Sequence, residues 1–314
     1  MSLICQLGHF LNKNEDEVTR FLRNAPKKYK VYKIPKRSHG HRVIAQPSKE
    51  LKQYQRAFLE LYNFPVHDAA KAYKKGISIK ENALVHKSNQ YLLKTDLENF
   101  FNSITPNLFW KCLDECSSKK PFFTTEDREW VEKLIFWCPS RKTGGKHVLS
   151  VGAPSSPHIS NFCLLGFDHF FSDHCYKLDI SYSRYADDLT FSTNIKGQLQ
   201  PILPSLIAAL LNYFGTELRI NHSKTVLSSK AHNRHVTGVT LNNYGQLSIG
   251  RERKRYIKHL VHQFKFNKLD CSAINHLHGL LSFARHIEPV FIERLKLKYS
   301  EQLIERIYEA CNDQ

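Results

Sequence analysis

The chain has 314 residues, with 46 Lys and Arg against 29 Asp and Glu, a formal net charge of +17 at pH 7. A hydrophobic fraction of 41% and a charged fraction of 24% are those of a folded chain with a sizeable core, which excludes disorder, collagen and coiled coil as readings of the whole. No run of 18 apolar residues is present, so no transmembrane helix is expected.

In chain order, the pattern predicts a helix over Leu7–Asn24 and strands over Tyr29–Ile34 and Arg42–Ala45, joined by the polar turn Ser38-His39-Gly40-His41. Leu51, Tyr54, Phe58 and Leu61 carry helical spacing over Lys49–Leu61, with Ser48 as N-cap. A helix over Ser78–His86 and a strand over Tyr91–Thr95, ending on Asp96, come next. Helices are expected over Pro106–Cys116 and Thr125–Phe136, then a hairpin turn at Lys142–Lys146. One long helix over Ser155–Cys175 follows Pro154, with Pro157 in its tolerant first turn. Strands at Ile180–Arg184 and Leu189–Ser192 have almost nothing between them. A helix over Pro201–Phe214 precedes short strands near Leu218–Ile220, Thr225–Ser228, Val236–Leu241 and Gln246–Ile249. From Gly250 onward the chain reads as helical and basic. The order is an α+β body followed by a helical C-terminal lobe.

The positive charge is clustered. Between Arg20 and Arg56 stand twelve Lys and Arg and one acid, Glu50; between Ile249 and Lys268 stand seven and one, Glu252. Aromatic residues interleave both clusters, and such stretches suit a phosphate backbone, whose neutralisation releases counterions. The eight cysteines include no CxxC pair, so no zinc site is expected. The first residues lack a charged segment followed by a long apolar block, so no secretory signal is expected. The localisation expected is cytoplasmic, with reduced thiols.

The chemistry-bearing motif is Tyr185-Ala186-Asp187-Asp188, between two alternating runs, which places adjacent carboxylates at a hairpin tip. Like charges that close are costly unless a cation holds them. Mg²⁺ is the usual cation for hard oxygen ligands beside phosphate. Asp96 ends another strand. If the strands are neighbours, the three carboxylates suit two Mg²⁺ ions about 3.5–4 Å apart, the arrangement for in-line nucleotidyl transfer to a 3′-hydroxyl.

With these motifs in place the sequence resembles a reverse transcriptase of the bacterial retron type, over roughly residues 27 to 300. Asp96-Leu97-Glu98-Asn99-Phe100-Phe101 resembles the palm block with the first metal-binding aspartate. Gly152-Ala153-Pro154-Ser155-Ser156-Pro157 resembles the template and nucleotide-positioning loop, although Val151 stands where many relatives have Gln. Asn221-His222-Ser223-Lys224-Thr225 resembles the following block with its lysine. Asn82-Ala83-Leu84-Val85-His86 fits the NAxxH pattern of retron enzymes and Val236-Thr237-Gly238 their VTG pattern.

The resemblance implies a right-hand polymerase fold, with fingers over 1–90, a palm over 91–248 and a small helical thumb over 249–314. It implies metal ligands Asp96, Asp187 and Asp188, with the Leu97 carbonyl as a fourth. It implies nucleotide contacts from Arg42, Gly152, Ala153 and Lys224. Phe101 would lie under the incoming sugar and select dNTPs, and Lys36 and Arg37 are weaker triphosphate candidates. RNA contacts are expected from Asn82 and His86, and from one helical face carrying Arg251, Arg253, Lys254, Arg255 and Lys258.

Retron enzymes use a structured noncoding RNA as template, prime from a 2′-hydroxyl of an internal guanosine, and make branched RNA–DNA, multicopy single-stranded DNA. They act in anti-phage defence with an effector, expected here as a separate protein. The alternatives are another bacterial reverse transcriptase, of group II intron or diversity-generating type, and a catalytically idle RNA-binding scaffold.

Overall fold

The computed structural model describes residues 1–36, 40–116, 123–142 and 144–310. Arg37 and the turn residues Ser38 and His39 lie outside the described residues, as does Thr143 of the expected Lys142–Lys146 turn.

The N-terminal helix is two helices, α1 (Leu3–Leu11) and α2 (Glu15–Arg23). Asn12 ends the first in the left-handed region, and Asn14 opens the second with a capping box to Glu17. Strands β1 (Tyr29–Pro35) and β2 (His41–Pro47) form an antiparallel pair. Then come α3 (Lys49–Leu61), capped by Ser48, α4 (Ile79–Leu84), with a Ser78–Glu81 capping box, and β3 (Tyr91–Asp96). Helices α5 (Phe100–Ser103), α6 (Pro106–Cys116) and α7 (Thr125–Ile135) follow. Trp137 and Val148, on either side of the expected 142–146 hairpin, form one antiparallel bridge.

The long helix after Pro154 divides at Leu164 into α8 (Ser156–Cys163) and α9 (Leu165–Lys177). Strands β4 (Ser181–Tyr185) and β5 (Asp188–Thr193) flank the Ala186-Asp187 turn, and α10 (Ile202–Phe214) follows. The strand expected at 218–220 is reduced to one bridge, Leu97 to Ile220. Next are β6 (Val226–Ser229), β7 (Arg234–Val236), β8 (Val239–Leu241) and β9 (Leu247–Ser248). Helices α11 (Arg251–Lys265), α12 (Cys271–Ile287), α13 (Pro289–Tyr299) and α14 (Glu301–Glu309) complete the described chain.

The expected strand 236–241 is a hairpin, with Val236 paired to Val239 around Thr237-Gly238. A two-residue hairpin of this hand needs positive φ at both turn positions. Gly238 has φ 83 and Thr237 φ 46. The glycine adopts this freely, whereas the β-branched threonine is held there.

The chain divides into two compact units: residues 1–73, 95–189 and 200–225, and residues 74–94, 190–199 and 226–314. The central strands are ordered β4-β5-β3-β6. In the first unit, the rings of Phe58, Phe64, Phe109, Phe123 and Phe162 pack in a network of stacked, tilted and edge contacts. In the second, Val236, Val239 and Leu241 join the buried faces of α11 to α14 in one core.

Candidate active site

Asp96 is the last residue of β3 and is 5% exposed. Two backbone bonds fix what surrounds it. The Leu97 N–H donates to the Asp187 carbonyl at 3.0 Å, and the Asn221 N–H donates to the Asp96 carbonyl at 2.7 Å. Residues 96, 187 and 221, far apart in sequence, are thus neighbours in the first unit. The Lys224 ammonium sits 2.8 Å from Asp96 Oδ2, and Asn221 Nδ2 lies 3.4 Å from Oδ1.

At the hairpin tip, Ala186 takes φ 58 and turns the chain between Tyr185 and Asp187. The Asp187 carboxyl is pushed up to about 6 by burial, with the charges of Asp188 and Asp96 adding to the effect. The Asp187 carboxyl therefore lies within electrostatic reach of Asp188 and Asp96.

The turn rests on a buried cluster. Arg184 and Asp168 pair with both side chains 0% exposed: Nε lies 3.0 Å from Oδ1 and Nη2 2.5 Å from Oδ2. Arg184 Nη1 also donates to the Ala186 carbonyl and to Asn161 Oδ1, each at 3.0 Å. The Tyr182 hydroxyl donates to Asp168 Oδ1 at 2.8 Å. Every polar edge of this pair is occupied, which is the condition for burying charge. Sequence reasoning missed the cluster. Its signal was Arg184 sharing the inward face of β4 with Tyr182, and Asp168 as the acid inside the apolar run 164–171.

A cavity of about 380 Å³ in the same unit is lined by Arg42, Phe101, Gly152 and Ala153, with Lys52, Arg56 and Tyr73 also on its wall. Four of the five predicted nucleotide residues meet here. The fifth, Lys224, stands with the carboxylates. Lys52, Arg56 and Tyr73 were not singled out from the sequence; the two cations lie four apart on α3, the spacing that aligns side chains on one helical face.

Gly152 has a structural reason as well. Its φ is 126, and a Cβ there would lie 3.2 Å from Ile44 Cγ2 and 3.3 Å from the Ala45 carbonyl oxygen. The Ala45 N–H donates to the neighbouring Val151 carbonyl at 3.0 Å. Glycine lets this loop lie against β2 beside Arg42. Gly152→Ala is expected to lower stability by about 1–3 kcal/mol, the range for a residue forced into a sparsely populated backbone region, read as a lower melting temperature with unchanged secondary structure.

The comparisons with known proteins agree with this geometry. Residues 34–241 match the family model described as reverse transcriptase (RNA-dependent DNA polymerase). The Retron Ec83 reverse transcriptase of Escherichia coli is 51% identical over 281 residues, 89% of each chain. The chain belongs to the reverse transcriptase family. It is of the bacterial retron type. The Retron Ec73 reverse transcriptase of Escherichia coli is 30% identical over 89% of each chain. A solved telomerase from Candida albicans, in complex with a fragment of telomeric RNA, superposes with TM-score 0.50 at 13% identity, covering 95% of this chain and 63% of that one. The fold is the right-hand polymerase fold, and the enzyme is an RNA-directed DNA polymerase.

The reverse transcriptase family works with a divalent metal. Among the described residues, no group of three or more acidic, histidine or cysteine side chains already forms a metal-holding cluster. Asp96 is instead drawn to Lys224 and Asn221. The donor chemistry nevertheless fits: the carboxylates are hard oxygen donors, and that of Asp187 is pushed to about 6 by burial and by the charges of Asp188 and Asp96, a cost that an added cation relieves.

In the reverse transcriptase's second unit, several residues expected at the RNA differ in placement. Asn82 and His86 are 1% and 0% exposed. Asn82 Nδ2 donates to Thr237 Oγ1 at 3.3 Å, and His86 Nδ1 lies 2.7 Å from Ser192 Oγ. The NAxxH motif therefore braces the VTG turn, and these two side chains are interior rather than RNA-facing. Arg253 turns back to the Gly238 and Ile249 carbonyls and over the Phe283 ring, and Lys254 pairs with Glu288 at 2.5 Å. Arg251, Arg255 and Lys258 remain exposed on α11. One helical face cannot present all five cations, because the first turns of α11 must also seal the core. No helix among the described residues is long and apolar enough to cross a membrane.

Proposed function

We propose that this polymerase copies a structured noncoding RNA, primes from a 2′-hydroxyl of that RNA, and makes branched RNA–DNA as part of an anti-phage system with a separate effector protein. The observation that carries the active-site part is the Leu97 to Asp187 backbone bond, which joins two distant carboxylate-bearing segments. The retron-specific part is supported by the 51% identity to a retron enzyme and by the Asn82–Thr237 bond between the two retron-pattern motifs.

In this reading Asp96, Asp187, Asp188 and the Leu97 carbonyl hold Mg²⁺. The bound metal lowers the pKa of the attacking hydroxyl and neutralises charge on the triphosphate. Arg42, Lys52 and Arg56 line the cavity with positive charge for a dNTP triphosphate. Lys224 holds Asp96 in place and supplies charge near the departing pyrophosphate. Gly152 and Ala153 shape the floor of the cavity. Arg251, Arg255 and Lys258 contact RNA phosphates. Fingers over 1–90, palm over 91–248 and thumb over 249–314 remain the assignment of parts.

Phe101 lines the cavity and is proposed to stand beside the sugar. Phe101→Ala is expected to admit ribonucleotides, seen as GTP incorporation on a primed RNA template; unchanged rejection of GTP would remove Phe101 from that role. The priming claim is tested with purified protein, its RNA, dNTPs and Mg²⁺. The expected product is a DNA strand that is released from the RNA by a debranching enzyme. A product extended only from RNA 3′ ends would contradict it.

A further inference from the structure

Tyr73 combines three features. It lines the cavity shared by Arg42, Phe101 and Gly152. Its ring centroid is 6.4 Å from that of Phe101 at an interplanar angle of 46°, within the aromatic-pair range of about 4.5–7 Å. Its φ is 63, the left-handed region that bulky side chains rarely adopt.

The segment that leads into Tyr73 is held by its surroundings. The Ala72 carbonyl accepts from Asn161 Nδ2 at 2.9 Å. The Arg184 N–H donates to the Ala69 carbonyl, and the Lys71 N–H to the Arg184 carbonyl, both at 2.8 Å. Asn161 Oδ1 in turn accepts from Arg184 Nη1. Segment 69–73 is therefore laced to the same buried cluster that holds the Ala186 turn. Strained residues held by an over-determined environment concentrate at functional sites, and here the strain delivers an aromatic ring to a cavity wall.

The chemistry of discrimination gives that ring a task. An apolar wall rejects an extra hydroxyl only weakly, by about a hundredfold in known cases, and less if the wall can move. Phe101 follows Asn99 in the left-handed region and sits on the four-residue helix α5. It pairs with two rings, Phe100 and Tyr73. Phe100 is buried in the core, while Tyr73 is 43% exposed on the cavity.

We propose that Tyr73 is a specificity-determining residue of this cavity, its ring forming with Phe101 one two-ring wall that a ribose 2′-hydroxyl meets. The inference rests on the reading of the cavity as the dNTP site. The ring, not the hydroxyl, does the work.

The test is single-nucleotide extension of a primed RNA template, comparing kcat/KM for dGTP and GTP in Phe101→Ala, Tyr73→Phe, Tyr73→Gly and the Phe101→Ala/Tyr73→Gly double variant. Glycine takes the left-handed backbone freely, so Tyr73→Gly deletes the ring without adding strain. Tyr73→Asn, also tolerant of that region, is a second ring deletion. Tyr73→Phe is expected to discriminate as the parent does. Tyr73→Gly and Tyr73→Asn are each expected to lose discrimination by about tenfold, within the hundredfold available. The double variant is expected to discriminate no worse than Phe101→Ala, since one wall is removed once. Parental discrimination in Tyr73→Gly or Tyr73→Asn, with Phe101→Ala relaxed, overturns the role of Tyr73 and leaves the dNTP cavity standing. Parental discrimination in Phe101→Ala as well overturns the cavity reading itself.

Discussion

Asp187→Asn is expected to abolish DNA synthesis while leaving the protein folded. Asn keeps the shape of the side chain and removes its charge. Metal-assisted stabilisation of a phosphoryl transition state is worth several kcal/mol; at about 4 kcal/mol, the rate falls roughly a thousandfold. Stability should move the other way or not at all. The Asp187 carboxyl is pushed up to about 6 by burial and by Asp188 and Asp96, so in metal-free buffer its ionised form is a burden on the fold near pH 7. Primer extension on an RNA template, with melting of the same sample, checks both. A variant that synthesises DNA at the parental rate would defeat the site assignment. A variant inactive because it is unfolded would leave the loss unrelated to charge, contrary to the expectation.

Arg184→Met is expected to be severely destabilising, by about 3–5 kcal/mol, because it leaves the carboxylate of Asp168 buried with no cation. Both partners are fully enclosed, so solvent does not soften the loss. The double variant Arg184→Met/Asp168→Leu should recover much of it, since an apolar pair of similar volume replaces a buried ion pair at little cost. Thermal melting of the single and double variants decides this, and a single variant that melts with the parent would show the pair to be dispensable. Even in the recovered double variant, polymerisation should stay impaired. The Ala186 carbonyl would have lost its donor from Arg184, and the turn that carries Asp187 would have lost its support.

The three carboxylates proposed as catalytic were singled out on a local signal: two adjacent acids between alternating runs, and another acid at a strand end. The element order was legible for the same reason, since caps and periodicity act within a few residues. What escaped depended on distant contacts. Nothing near Asn82 or His86 announces that they are enclosed; that follows from Thr237 and Ser192, more than a hundred residues away. Arg253 and Lys254 look like Arg251 and Arg255 in sequence, and only the positions of Gly238, Phe283 and Glu288 separate them. The breaks at Asn12 and Leu164 interrupt helical patterns that run on in sequence, because the chain must turn there to pack. Tyr73 shows no mark in sequence, since the segment leading into it is held by the distant Asn161 and Arg184.

The central claim is that Asp96, Asp187 and Asp188 jointly hold a divalent cation beside the nucleic-acid end. Electron paramagnetic resonance of Mn²⁺ bound to the enzyme with primed template and dNTP tests it most directly. The parent should bind Mn²⁺ with a signal that the Asp96→Asn/Asp187→Asn/Asp188→Asn variant lacks, at equal template occupancy. An identical bound-metal signal in that triple variant would contradict the account.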